Sequence, residues 1–354
     1  MLRLKITRLF INTLGRRLPA LFWAAVAICV SGGCISRHSD EVVVLSALDR
    51  EFSAAVLEDA QNELKMPLRV KYDVESNKTV GLTNEIIRNQ QRPRADLFWN
   101  NEILHTIRLE KLGLLEPVDA ERRSRFPDRF VSPSGHWFGL AARARVLIVN
   151  TELMPIAGQR PTQFSDLADK QFAGKCTLAR PLFGTSATHA AVMFDILGAA
   201  KAAQLYEHIA DNAVVQGGNK QVAEKVAGGE FLFGLTDTDD ALVEMDAGRP
   251  VAIVFPDQGQ DGLGTLLIPN TLCVIKNGPN TAGAKRLLQR LLAADVEERL
   301  AKGASGQIPL ADDVKMTSRA VPEELKVMEV DFEAAADSWE TAAGQLKEIF
   351  PLGR

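Results

Sequence analysis

Cysteine is scarce in this chain, four in 354 residues, and no pair stands in the C-x-x-C spacing of a thiolate metal centre. Neither charge is in excess: 41 Lys and Arg face 45 Asp and Glu, and the net charge of -4 gives no electrostatic reason to bind nucleic acid or anionic lipid. No apolar run reaches the roughly twenty residues that a spanning helix needs. Sequence repeats and long low-complexity tracts are missing too. What remains is the composition of a folded soluble protein, nearly half apolar and a quarter charged.

The first forty residues carry an address. Lys5, Arg8, Arg16 and Arg17 precede the apolar segment from Ala20 to Val30, and small residues follow at Ser31-Gly32-Gly33 before Cys34. Charge, short apolar core and small residues in that order are the plan of a secretory signal. Small residues directly before a cysteine resemble the bacterial lipobox, with Ser31 in place of its usual leucine. That resemblance implies lipidation at Cys34, while plain cleavage and a retained anchor stay open. All three put the rest of the chain outside the cytoplasm. We expect a signal over 1–34 and a tether over 35–40. Of the two cysteines left, Cys176 and Cys273 each sit in a strand-like run, where a disulfide or a buried thiol is possible.

About 320 residues then remain, more than one hydrophobic core usually serves, so two domains are expected. Strand-length runs at Glu41 to Leu45, Leu68 to Tyr72, Asp96 to Trp99 and Val146 to Asn150 alternate with helix-like Ala54 to Leu64 and Asn84 to Gln90. A second set repeats the plan: helix-like Phe164 to Leu167, strand Cys176 to Ala179, helices Ser186 to Leu197, Ala199 to Ala210 and Lys220 to Ala227, and strand Phe231 to Leu235. Such alternation predicts βαβ units and largely parallel sheets. The tail reads as helical over Thr281 to Lys302, Pro322 to Met328 and Phe332 to Phe350.

Five segments, in order, resemble the extracellular solute-binding proteins of bacterial ABC importers, particularly the ferric-ion-binding branch. They are Val43-Val44-Leu45-Ser46-Ala47-Leu48-Asp49, Arg94-Ala95-Asp96-Leu97-Phe98-Trp99-Asn100-Asn101-Glu102, Leu109 to Pro117, Arg143 to Asn150 and Leu267 to Ile275. The resemblance implies an α/β, two-lobed type II periplasmic-binding-protein fold with a ligand cleft between the lobes. Chain order in that family implies a first lobe over 41–143 and 264–354 and a second over 144–263. It also implies a non-enzymatic carrier, periplasmic or at the cell surface, that captures a small solute and delivers it to an ABC permease, as a monomer. Ligands of open α/β sheets bind beyond the carboxyl ends of strands, so the strand-end loops hold the candidate residues.

Asp49 falls where the ferric binders carry a histidine, and a carboxylate there suits hard cations, hydroxyls or amines; it could equally cap a helix. A family glutamate ligand falls on Asn101 or Glu102, either of which could also be a solvated helix start. In the loop Pro181 to Thr188, free amides at a helix start attract anions. By resemblance Thr185, Ser186 and Ala187 hold a synergistic anion there, with Arg143 as cationic partner; plain capping is the alternative. His189 reads as a surface or packed histidine. In Gly234 to Asp240 the chain departs from the ferric pattern, with Asp237, Asp239 and Asp240 where adjacent tyrosines are expected. Its two tyrosines, Tyr72 and Tyr206, fall in a strand and a helix elsewhere. Three carboxylates so close favour a cation, an ammonium group or hydroxyls. Asp49, Glu102, Asp239 and Asp240 are thus the candidate metal ligands, with a metal and its bound anion as one possible cargo and a zwitterionic or phosphorylated organic solute as the other. A Ser186, His189 and Asp237 triad is a poor alternative, because the loop fails the G-x-S-x-G elbow and His189 lies along the same helix as Ser186. A sensor of the same fold is a further possibility.

Overall fold

A computed structural model describes residues 40–72 and 78–351. The leader, Cys34 and all of the tether but Asp40 lie outside the described residues, so the expectations placed there are not addressed by it. Among the described residues ten strands form one sheet: eight follow the path β2-β1-β3-β10-β5-β8-β6-β7, and off it β4 (Leu115–Glu116) pairs with β10 and β9 with β5. At one end β1 (Val42–Ser46) lies parallel to β2 (Leu68–Tyr72) and β3 (Leu97–Asn100). At the other, β6 (Cys176–Ala179) lies parallel to β7 (Val214–Gln216) and β8 (Phe233–Asp237). Helices cross over between these parallel strands, as the alternation predicts.

The two ends are joined by strands that run antiparallel to them. β5 (Trp137–Asn150) pairs through residues 137–144 with β10 (Leu267–Ile275) and through 145–150 with β8 and β9 (Val251–Val254). One strand therefore belongs to both half-sheets. Only its second half was legible as a strand. All fourteen of its residues are buried, so it shows no alternation of polar and apolar positions, and the buried Arg143 and Arg145 interrupt its apolar run.

Between its halves β5 bends. Its register against β10 shifts between Pro269 and Asn270, and Ala141 takes φ +44°, a left-handed value rare for a residue with a Cβ. Side chains hold this bulge. The amide of Ala141 donates to the Glu297 carboxylate at 2.8 Å, and the Asn270 amide group donates to the carbonyls of Leu140 and Ala141. Glu297, fully buried, also accepts from the amides of Leu310 and Ala311. Burial raises its carboxyl pKa, and these donors offset that only in part. Glu297→Gln turns an NH2 toward backbone donors, so a loss of about 2–3 kcal/mol is expected, measured as a lower urea midpoint.

Among the described residues ten α-helices cover the sheet faces: α1 (Arg50–Leu64), α2 (Lys78–Arg88), α3 (Leu104–Lys111), α4 (Gly184–Leu197), α5 (Ala199–Asn212), α6 (Asn219–Ala227), α7 (Thr238–Asp246), α8 (Thr281–Leu291), α9 (Ala294–Lys302) and α10 (Phe332–Ile349). The expected helix over 281–302 breaks into two at Leu292 and Ala293. The expected helix over 322–328 does not form: Val327 makes a parallel bridge to Thr265 instead, and the amides of Thr265 and Met328 bond across it. Residues 164–168 form a 3-10 turn. The last helix packs against α4, α5 and α3, reaching both halves. Cys176 and Cys273 are buried free thiols on β6 and β10, strands separated by β5 and β8, so no disulfide joins them. Among the described residues no helix is long and apolar enough to cross a membrane.

Candidate ligand-binding site

Strands β1 and β3 at one end and β6, β7 and β8 at the other deliver their carboxyl-terminal loops to one crevice. It encloses about 610 Å³ including its mouth. Asp49 follows β1, Asn101 follows β3, Arg180 to Ser186 follow β6, Gly217 to Lys220 follow β7, and Asp237, Asp239 and Asp240 close β8 and open α7; all of these loops supply lining residues, as does Arg143 of β5. The loops are short, so helices begin at the crevice. None of α1, α4, α6 and α7 has a side-chain cap bond at its N-terminus. Phe183 and Gly218, in the cap positions of α4 and α6, have no polar side chain to cap with. Both helix starts line the polar crevice, and the first amides of a helix, which have no intrahelical acceptor, favour anions.

The floor is a buried polar network centred on Asp237. Arg145 donates to its Oδ1 at 2.7 Å, while Thr185 (2.6 Å) and Asn219 (3.0 Å) donate to its Oδ2. Arg145 also reaches Ser186 Oγ at 3.2 Å, and Ser186 donates to Asn219 at 3.2 Å. Burial alone would raise the pKa of Asp237. The Arg145 and Arg143 guanidiniums and the Thr185 hydroxyl outweigh it and hold the group below the usual carboxylate range. Asp237 is thus a satisfied structural anion.

Its neighbours are not. Burial pushes the pKa of Asp239 up to about 6, against the pull of Arg143 at 3.5 Å and with the Asp237 and Asp49 carboxylates adding to the rise. Asp240, half-open to the crevice, is raised well above its ordinary value by burial and by Asp239, Asp237 and Asp49. One carboxylate oxygen from each of Asp237, Asp239 and Asp240 lies within 4.8 Å of the others. The opposite character comes from Arg143, Arg180 and Lys220, all lining the same space. Arg143 is buried, donates to the Asn101 carbonyl, and keeps a pKa above its ordinary value: burial opposes this, and Asp239, Asp237, Asp240 and Asp49 outweigh it.

Eight of the ten candidate residues meet here: Asp49, Asn101, Arg143, Thr185, Ser186, Asp237, Asp239 and Asp240. Two do not. Glu102 is fully buried behind the crevice, its carboxylate taken by Asn100, the His105 amide and Thr188, so it is removed from the candidate ligands. Ala187 lies inside α4 with no exposed surface, and its amide already bonds the Phe183 carbonyl. The imagined triad fails on geometry. Asp237 serves Arg145, and His189 packs at 4.5 Å on Phe164 with neither ring nitrogen hydrogen-bonded. Burial, chiefly, and the nearby Arg145 charge lower the His189 pKa to about 3.

Arg145, Arg180, Asn219 and Lys220 were not anticipated. The alternation Arg143-Ala144-Arg145 was a usable signal, since period-two spacing puts both guanidiniums on one strand face. Asn219 and Lys220 follow β7, a strand of only three residues and too short to mark its own end.

Residues 59–326, more than half of the chain, match the family described as bacterial extracellular solute-binding protein. The chain belongs to that family. Members are the substrate-capturing components of ABC importers, and family and fold are those of binding proteins acting in the periplasm or at the surface rather than of enzymes. Among relatives, this solute-binding protein is 23% identical over 262 residues to "Iron uptake protein A1" of Synechocystis sp., covering 69% of this chain and 71% of that one. It is 26% identical over 172 residues to a "Putative 2-aminoethylphosphonate-binding periplasmic protein" of Salmonella typhimurium, covering 47% of this chain and about half, 49%, of the relative. In structure it resembles the apo ferric ion-binding protein A of Pasteurella haemolytica, with a TM-score of 0.77, 19% identity, and coverage of 88% and 98% of the two chains. That likeness establishes the two-lobed fold.

Proposed function

We propose that this solute-binding protein captures a hard metal cation together with a bound anion, ferric iron first, and delivers it to an ABC permease. The observation that carries the reading is the mixture of charge in one crevice: the Asp239 and Asp240 carboxylates line it together with helix starts, with Arg143, which lies 3.5 Å from Asp239, and with Arg180 and Lys220. Asp49, Asp239 and Asp240 supply hard oxygen donors, and the starts of α4 and α6 supply the anion seat. The relatives named for iron uptake and ferric ion binding support it. The lobes are taken as 41–143 with 264–354 and 144–263, closing on the cargo as a monomer, tethered through a lipid on Cys34.

A second reading, a small organic solute bearing an ammonium and a phosphonate or phosphate group, is favoured by the lining itself. Among the described residues it contains neither tyrosine nor histidine, and two carboxylates beside cationic and amide donors suit an ammonium and an oxyanion equally. Elemental analysis and native mass spectrometry of freshly purified protein separate the two. Iron at one equivalent, with a bound small anion, supports the metal reading; a metal-free organic mass, with calorimetric binding of 2-aminoethylphosphonate and none of ferric citrate, replaces it with the second.

A further inference from the structure

Glu102 has no accessible surface and no place in the crevice, yet its carboxylate is bonded by residues of β3, α3 and α4. Its Oε1 accepts from Asn100 Nδ2 at 2.8 Å and from the His105 amide at 3.1 Å, both on its own side, at the end of β3 and the start of α3. Its backbone carbonyl accepts from Thr271 of β10, whose hydroxyl also meets that of Thr106 at 2.7 Å. These bonds fix the carboxylate in place. Oε2 accepts at 3.3 Å from the same His105 amide and, from the other side, at 2.8 Å from the Thr188 hydroxyl of α4, its shorter contact. Thr188 lies three positions along α4 from Thr185, just under a turn, and Thr185 binds Asp237 in the crevice floor. Asn101, next to Glu102 in the chain, lines the crevice and holds Arg143 through its carbonyl.

We infer that Glu102 is an interlobe latch: its bond to Thr188 joins the β3–α3 side to α4 directly behind the ligand, and so biases the two lobes toward the closed arrangement. The reason is asymmetric cost. A buried carboxylate oxygen that loses its shortest donor without gaining water keeps only the longer His105 contact, so separating the lobes at this point is penalised. A ligand then closes a crevice already leaning shut, and less of its differential affinity is needed to shift the equilibrium. The inference rests on the two-lobed fold and not on which cargo is bound.

The test needs no ligand. Asn62→Cys in α1 and Glu224→Cys in α6, both exposed, place a dye on each lobe of the full chain for single-molecule distance measurement. Thr188→Val, nearly isosteric but unable to donate, is expected to raise the long-distance population of the unliganded protein roughly fivefold, the shift matching one ordinary hydrogen bond. Thr188→Ala must give the same widening, and Thr188→Ser, which keeps the hydroxyl, must return the parent distribution. A merely structural threonine would lower the melting temperature without moving the distances. Unchanged distances in both Val and Ala variants, or a Ser variant that behaves like Val, overturns the latch.

Discussion

Replacing Asp239 and Asp240 together by Asn is expected to weaken cargo binding by at least about a hundredfold while making the unliganded protein more stable. Both effects follow from one electrostatic fact. Asp239 carries a pKa of about 6 because burial disfavours its charge and Asp237 and Asp49 repel it, with Arg143 compensating only in part. A carboxyl whose folded pKa lies above its unfolded value stabilises the fold fully below the unfolded pKa and loses that contribution as pH rises through the folded one. At pH 7.5 the ionised pair is therefore a liability, on the order of 1–3 kcal/mol for Asp239. An amide of the same shape removes the liability and removes the anion that a cation needs. Thermal melts at pH 7.5 should show the double variant above the parent by a few degrees, with the gap closing as pH falls below about 5. Titration calorimetry of the parent should show cation binding that weakens as pH falls through about 6, because protons and cargo compete for the same oxygens. A variant that melts lower than the parent, or binds as well, would falsify the assignment of these aspartates to the cargo.

Legibility in the sequence followed how each element earns its burial. Of the parallel strands, β1, β2, β3, β6 and β8 were visible as short runs flanked by helices, and the loops after β1, β3, β6 and β8 could be placed at one site by topology alone, whereas the three-residue β7 was not visible. β5 was half hidden, since a strand buried on both faces has no alternation to read, and its bulge at Ala141 depends on Glu297, more than 150 residues away in sequence. At the site, residue types were legible but not their state. The three aspartates look alike in sequence, and only packing assigns Asp237 to Arg145, Thr185 and Asn219 while leaving Asp239 and Asp240 strained. Glu102 illustrates the converse. Its position after β3 matched a ligand role, but the side chain turns inward to bonds from Asn100, His105 and Thr188 that no spacing rule could reveal.

Arg145→Met should be the most destabilising single change at the site. Arg145 is fully buried and gives Asp237 its shortest charged contact, at 2.7 Å; the next guanidinium, that of Arg143, stands 3.9 Å away. Breaking a buried pair by removing one partner leaves the other charge uncompensated, a cost of about 3–5 kcal/mol, visible as a lower urea midpoint at unchanged slope. Asp237 now holds its pKa below the ordinary range, so its contribution is present above the unfolded pKa and lost as pH falls through the folded one. Without Arg145 its pKa should rise, and the deficit of the variant should shrink as pH is lowered through about 4. Adding Asp237→Asn to Arg145→Met removes the orphaned charge, so the double variant should be more stable than Arg145→Met alone, a coupling that two independent contacts would not show. If the double variant loses the sum of the two single effects, the network centred on Asp237 is not the electrostatic unit that the floor of the crevice requires, and Asp237 returns to the set of aspartates open to cargo.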